Sequence, residues 1–288
     1  MVIFKRTQDV IEYISTEKGK GIKYGFVPTM GALHYGHLSL IAQARKEGQA
    51  VICSIFVNPT QFNDKKDLEK YPITTDADIE LLVKAGCDVL FLPGVEEIYP
   101  GGEQETRSYE FGYLDTILEG ARRPGHFKGV GQVVARLLAI VQPDCLFLGQ
   151  KDYQQCLVLK NLVSQLAVDQ IGGNVPQVLV EVCPTLREQD GLAMSSRNRR
   201  LTDPQRAVAG TIYQCLVSIQ AKSGHGKFAT VRKECIEILQ AKGFVPEYVS
   251  LASATDLRLL TEYEEGTPMV ALIAAYIGEI RLIDNILL

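Results

Sequence analysis

The chain has 288 residues, 46% of them hydrophobic and 22% charged, with a net charge of −4. That length suits one large domain and a smaller one. The acidic balance argues against a nucleic-acid binder, which needs cationic surplus to neutralise phosphates. No apolar run approaches the roughly 20 residues that span a bilayer, and the polar start, Met1 to Asp9, is unlike a secretory signal. The seven cysteines are scattered and odd in number, with no Cys-x-x-Cys. This points to a reducing compartment, the cytoplasm, without a disulfide framework or structural zinc.

The elements follow in chain order. Tyr24 to Pro28 is a short apolar strand. His37 to Glu47 has helical periodicity, with Leu38, Ile41 and Ala44 on one face and Gly48 as a stop. Ala50 to Val57 is a continuous β-rich run. Thr75 with Asp78 three residues on resembles a capping box, opening a helix whose buried stripe is Ile79, Leu82 and Val83 and whose end is Gly86. Asp88 to Leu92 is a strand. After a loop-rich stretch, Val130, Val133, Val134, Leu137, Leu138 and Val141 trace a helical face that ends at Pro143. Cys145 to Leu148 is a strand, Lys151 to Ala167 a helix and Val178 to Val182 a strand. Continuous apolar strands alternating with helices imply a doubly wound parallel α/β sheet, covered on both faces.

The pattern changes after Pro184. Asp203-Pro204 reads as an N-cap and first helical residue, opening a helix with Val208, Ile212, Cys215, Leu216 and Ile219 inward. A second helix carries Phe228, Val231, Cys235, Ile238 and Leu239. Tyr248 to Ala252 and Met269 to Leu288 read as strands, with Gly278 at a turn. Helices followed by a hairpin suggest a separate α+β domain. The expected division is a Rossmann-like domain over residues 1–185 and a smaller α+β domain over residues 186–288.

Five stretches carry candidate chemistry. In Pro28-Thr29-Met30-Gly31-Ala32-Leu33-His34-Tyr35-Gly36-His37, a strand end meets a helix start. Ligands of open α/β sheets bind at such ends, and free N–H groups with the helix dipole favour anions. Two imidazoles three residues apart can donate to phosphate oxygens, although buried structural histidines or half a metal site would give the same spacing. In Phe56-Val57-Asn58-Pro59-Thr60-Gln61-Phe62, Asn58 and Gln61 are uncharged hydrogen-bonding groups at a strand end. Gln61 suits a hydroxyl or carboxylate on a small substrate, and a plain Asn-Pro turn is the alternative. In Gly149-Gln150-Lys151-Asp152-Tyr153-Gln154-Gln155, a lysine stands at a helix start, where its charge is unfavourable by about 0.3–1 kcal/mol unless an anion binds. Asp152 favours the helix start, a nucleotide or Mg²⁺. Met194-Ser195-Ser196-Arg197 offers two hydroxyls and a guanidinium suited to polyphosphate. Finally, Glu119 to Gly129 is basic and glycine-rich, and holds Arg123 and His126 in what reads as a mobile cover or a plain basic loop.

Pro-Thr-Met-Gly-Ala-Leu-His-x-Gly-His, Phe-Val-Asn-Pro-x-Gln-Phe, Lys-Asp-Tyr-Gln-Gln and Gly-Leu-Ala-Met-Ser-Ser-Arg-Asn occur in this order. In this the chain resembles the pantoate–β-alanine ligase (pantothenate synthetase) family of His-x-Gly-His nucleotidyltransferases, from about Val27 to Leu201. The resemblance implies ATP-dependent condensation of pantoate with β-alanine through an acyl adenylate, with Mg²⁺ held mainly by the ATP phosphates. It implies that His34, His37, Lys151, Ser195, Ser196 and Arg197 hold those phosphates, with Pro28, Met30, Gly149 and Asp152 also at the nucleotide. It assigns Met30, Gln61 and Gln155 to pantoate, and places Arg123 and His126 in the family's basic loop. It also implies a homodimer, without nucleic-acid or membrane partners. Gln150 departs from the pattern, which has Glu beside the Lys-Asp pair. Two other readings are an aminoacyl-tRNA synthetase relative, which would need an RNA-binding surface, and a non-catalytic nucleotide-binding module.

Overall fold

The computed structural model describes residues 1–62, 68–69, 71–102, 107–169, 178–224 and 226–288. The chain forms two compact units, residues 1–149 with 158–183, and residues 150–157 with 184–288. Residues 150–157, which the sequence reading leaves in the first domain, thus group with the second.

The first unit is built on six parallel strands: β1 (Val2–Phe4), β2 (Tyr24–Thr29), β3 (Ala50–Ile55), β4 (Val89–Phe91), β5 (Cys145–Gly149) and β6 (Leu179–Cys183). Their order is β1-β4-β3-β2-β5-β6. The central strands are buried because helices cover both faces, which is why they read as unbroken apolar runs. Chain order reverses between β2 and β5, so this is the switch point, where a doubly wound sheet opens a crevice at its carboxyl ends. The expected α/β sheet is present.

Helix α1 (Thr7–Gly19) follows β1, and α2 (Tyr35–Lys46) follows β2. The latter starts two residues before the expected His37, because His34 supplies the cap. Helix α3 (Thr75–Ala85) begins after Thr74, not at a Thr75 cap, and the Asp78 carboxylate accepts from the backbone of Ala32 and Leu33 as well as from the Thr74 hydroxyl. Leu82 is buried, but Val83 is 56% exposed, so the stripe is narrower than expected. Two short helices, α4 (Val95–Ile98) and α5 (Leu118–Arg122), precede α6 (His126–Val141). Every expected apolar residue of α6 is buried. Gly129 on α6 meets the backbone of Thr60 so closely that an added Cβ would lie 2.4 Å from its carbonyl oxygen.

The second unit opens with a 3₁₀ turn, Gln150–Asp152, and with the first residues of α7 (Tyr153–Asp169). The expected helix start at Lys151 is therefore 3₁₀. Tyr153 secures this segment by donating its hydroxyl to Ala254 O at 2.6 Å. Helix α8 (Asp203–Ala209) has Thr202 as its cap, with Gln205 completing a capping box, so Asp203 is the first helical residue instead of the cap. The single helix expected here is two, because α9 (Thr211–Ala221) starts anew after Gly210. Helix α10 (Phe228–Ala241) follows. Strands β7 (Phe244–Ser253), β8 (Leu259–Leu260), β9 (Met269–Ile277) and β10 (Ile280–Leu287) form an antiparallel sheet in the order β10-β9-β7-β8. Ile277 pairs with Ile280 across a two-residue turn, where Gly278 takes φ +59°. Ile212, Leu216, Phe228, Leu239, Ile273 and Ile277 lie in this unit's core.

Candidate active site

The segment between β2 and α2 is set by a buried carboxylate. Gly31 (φ 81°) and Ala32 (φ 49°) are both left-handed, a cost of about 1–2 kcal/mol for a residue with a Cβ. This conformation turns successive N–H groups to one side, where they need an acceptor. Asp78, only 2% exposed, supplies it: Ala32 N donates to Oδ2 at 2.9 Å and Leu33 N to Oδ1 at 2.8 Å. Thr74 adds its hydroxyl to Oδ1 at 3.1 Å. Charge-assisted bonds of this kind are about twice as strong as neutral ones. Gly31 is required twice over, because a Cβ there would also lie 3.1 Å from Asp78 Oδ2.

That turn delivers the two histidines as reciprocal caps. Gly36 N donates to His34 Nδ1 at 3.1 Å, and His34 N donates to His37 Nδ1 at 3.3 Å. The rings lie 4.0 Å apart between centroids. With Nδ1 accepting in both, the neutral rings carry their proton on Nε2. Each imidazole therefore offers an N–H donor without needing to be charged.

Met30 and Gln61, which lie in separate stretches of sequence and which the resemblance assigns together to pantoate, meet: Gln61 Nε2 lies 2.9 Å from the Met30 sulfur. Asn58, 1% exposed, is the organiser of this corner. Its Nδ2 donates to Gln61 Oε1 at 3.1 Å and Gly129 O at 3.2 Å, while Oδ1 accepts the Tyr99 hydroxyl at 2.8 Å. Asn58 thus ties the end of β3 to α6 and orients Gln61.

Arg123 and His126 are also brought together, but inward. His126 is 5% exposed at the first position of α6. Its Nδ1–H donates to Gln61 O at 2.9 Å, so Nε2 accepts from Arg123 Nη1 at 3.0 Å. The glycine-rich composition of this stretch predicts an irregular loop; it is two helices joined at Gly125, which takes φ +80°.

The second unit carries the remaining candidates. Lys151 Nζ lies 3.5 Å from Asp152 Oδ1. Gln150, the departure from the expected pattern, donates Nε2–H to Asn285 Oδ1 at 3.1 Å. Ser195 caps the 3₁₀ segment Ser196–Arg200 by accepting from Arg197 N at 3.3 Å. Its hydroxyl proton remains available to donate. Asn198 steadies this segment, giving Nδ2–H to Glu188 Oε1 and Ala193 O, each at 3.0 Å. Gln155 is partly exposed on α7.

Arg187, Asp284 and Asn285 lie behind the lysine turn, and the motif reading did not single them out. Arg187 binds Asp284 through two nitrogens, at 2.5 and 3.0 Å, with its guanidinium 3.9 Å from the Tyr213 ring centre. Burial pushes the Asp284 carboxyl above its ordinary value, and the Arg187 guanidinium opposes that push. Adjacent strand residues face opposite sides, so two consecutive polar residues in the apolar run Leu282 to Leu287 were the available signal.

The pantoate–β-alanine ligase family model matches residues 2–287. The chain is 43% identical to a pantothenate synthetase of Cytophaga hutchinsonii, over 100% of this chain and 99% of that one. It is 44% identical to one of Pseudomonas fluorescens, over 98% of this chain and 97% of the other. Among solved structures, pantothenate synthetase from Thermus thermophilus superposes with a TM-score of 0.87 at 38% identity, covering 99% of both chains. Pantoate–β-alanine ligase from Francisella tularensis, complexed with β,γ-ATP and β-alanine, gives a TM-score of 0.80 at 36% identity, covering 100% of this chain and 97% of that one.

Proposed function

The chain belongs to the pantoate–β-alanine ligase family, and from that premise we propose how its own residues carry out the reaction. The enzyme joins pantoate to β-alanine at the expense of ATP. A carboxylate is a poor acceptor for an amine, so it is first activated. A pantoate carboxylate oxygen attacks the α-phosphorus in line, the bond to the β-bridging oxygen breaks, and pyrophosphate leaves. The β-alanine amine then attacks the acyl carbon of pantoyl adenylate. A C–N bond forms, AMP departs and the amine loses a proton.

Both reactants of the first step are anionic, so catalysis is positioning and charge stabilisation. His34 and His37 give Nε2–H donors to phosphate oxygens. Lys151 and Arg197 supply positive charge, and Ser195 and Ser196 add hydroxyl donors. Pro28, Gly149 and Asp152 border the nucleotide. Met30 and Gln61, already in contact, are pantoate ligands, and Gln155 has the same role. Arg123 and His126 act from behind, since His126 holds the Gln61 carbonyl. Mg²⁺ would be held mainly by the ATP phosphates and water. When bound, Mg²⁺ neutralises phosphate charge.

The observation that carries this reading is the pair of reciprocal histidine caps, which fixes two neutral N–H donors at the switch-point end of β2. The reading extends to a homodimer in the cytoplasm. The seven cysteines are buried free thiols, and among the described residues no helix is long and apolar enough to cross a membrane. ATP–pyrophosphate exchange with a panel of carboxylates tests it. Exchange should require pantoate, and β-alanine should then draw the reaction to product. Exchange supported by an amino acid and not by pantoate would refute it.

A further inference from the structure

A 3₁₀ turn directly after a strand leaves carbonyl groups without ladder or helix partners, and buried carbonyls need donors. Asn285 on β10, 1% exposed, meets that need for the turn that carries Lys151. Its Nδ2 donates to Gln150 O at 2.9 Å and to Lys151 O at 2.8 Å. Its Oδ1 accepts Gln150 Nε2–H at 3.1 Å. The Asn285 backbone is itself held: its N donates to Asp284 Oδ1 at 2.8 Å, and its O accepts from Arg187 Nη2 at 3.2 Å. We infer that Asn285 is a positioning residue for the adenylyl-transfer step, holding the turn from which the Lys151 ammonium projects. This rests on the reading of Lys151 as a phosphate ligand.

The chemistry of the anchor is narrow. Two carbonyls must each receive a hydrogen from one side-chain end that also accepts one, and only a carboxamide has that pattern. A carboxylate at residue 285 would face two carbonyl oxygens. The same logic accounts for Gln150. A glutamate there would set a carboxylate against Asn285 Oδ1, and turning the Asn285 amide around would lose both carbonyl bonds. Gln150 and Asn285 are therefore a matched neutral pair, 135 residues apart in sequence.

The two half-reactions, measured separately in the full-length protein, test this. Asn285→Asp should slow pantoate-dependent ATP–pyrophosphate exchange by about 10²-fold, the loss expected from displacing a reacting group by about 1 Å. Reaction of supplied pantoyl adenylate with β-alanine should stay within about twofold of wild type, because it does not need the Lys151 charge on the leaving pyrophosphate. Exchange by this variant should recover as pH falls, since a protonated carboxyl regains one donor. Gln150→Glu should slow exchange in the same direction by about tenfold, as for one lost hydrogen bond. It reads the same pair if Asn285→Asp does not fold. Equal loss in both half-reactions would overturn the inference in favour of a merely structural role. So would unchanged exchange in both variants while Lys151→Ala slows exchange by about 10²-fold. Unchanged exchange in Lys151→Ala would remove the reading of Lys151 and this inference with it.

Discussion

The β2–α2 turn and the β5–α7 turn each carry residues proposed to bind phosphate, and they are anchored by opposite chemistry. In the first, left-handed Gly31 and Ala32 aim N–H groups inward, and the anchor is an anion, Asp78. In the second, a 3₁₀ turn aims carbonyls inward, and the anchor is a neutral amide, Asn285. The backbone conformation decides which orphan group is buried, and that group decides the residue type behind it. The anchors also differ in depth of support. Asp78 binds its turn directly, with Thr74 behind it among the described residues. Asn285 is backed by an ion pair, Arg187–Asp284, that is itself packed on Tyr213.

Removing that support should have the larger effect. Arg187→Leu leaves the Asp284 carboxylate 4% exposed and without its cation, which costs about 3–5 kcal/mol when one partner of a buried pair is lost. Urea unfolding of the variant should show this loss at neutral pH. Because burial already pushes the Asp284 carboxyl up, the loss should shrink as acid protonates it. A loss below about 1 kcal/mol at neutral pH would mean that the second turn, like the first, needs only its direct anchor.

Asp78→Asn is the matching change on the first turn. It sets an N–H₂ against one of the two backbone N–H groups and removes the charge that both bind. Displacement of the histidine turn should cut pyrophosphate exchange by about 10²-fold, equivalent to about 2.7 kcal/mol of barrier. The thermal midpoint should fall by less than in Arg187→Leu. Exchange within threefold of wild type would show that the reciprocal caps of His34 and His37 hold the turn by themselves.

The contrast also marks what was readable in the chain. His34, His37 and Lys151 stood out because polar residues at a strand end and helix start are recognisable from local spacing. The parallel sheet stood out because its strands are buried on both faces. Asp78 did not, since Thr75-x-x-Asp78 satisfies a local capping pattern while the backbone N–H groups that it holds lie 45 and 46 residues earlier. Asn285 was hidden for the same reason, its contacts crossing 134 and 135 residues. Local pattern marks the groups that face a ligand; the groups that hold them in place are tertiary. The break at Gly210 was missed similarly, since an added Cβ would lie 2.7 Å from Asp190 O, a contact with no trace in helical periodicity.

An exposed ion pair in the same unit sharpens the comparison at its small end. Arg206 binds Asp190 and, at 2.6 Å, Glu188, with all three side chains about one-third exposed. The Arg206 guanidinium holds the Asp190 carboxyl below its ordinary value of 3.8. A depressed carboxyl contributes stability that is fully present above the unfolded value and fades as pH falls through the folded one. Asp190→Asn should therefore cost less than about 1 kcal/mol at pH 7, as exposed pairs do. The difference from wild type should fade as pH falls from the ordinary value of 3.8 through the depressed folded one, whereas at pH 7 screening by salt should reduce it. Urea melts at pH 7 and pH 3, each at low and high salt, check this. A salt-insensitive loss comparable to that of Arg187→Leu would show that burial does not separate the two arginines, and that Glu188 and Asp190 belong to the anchor of the lysine turn.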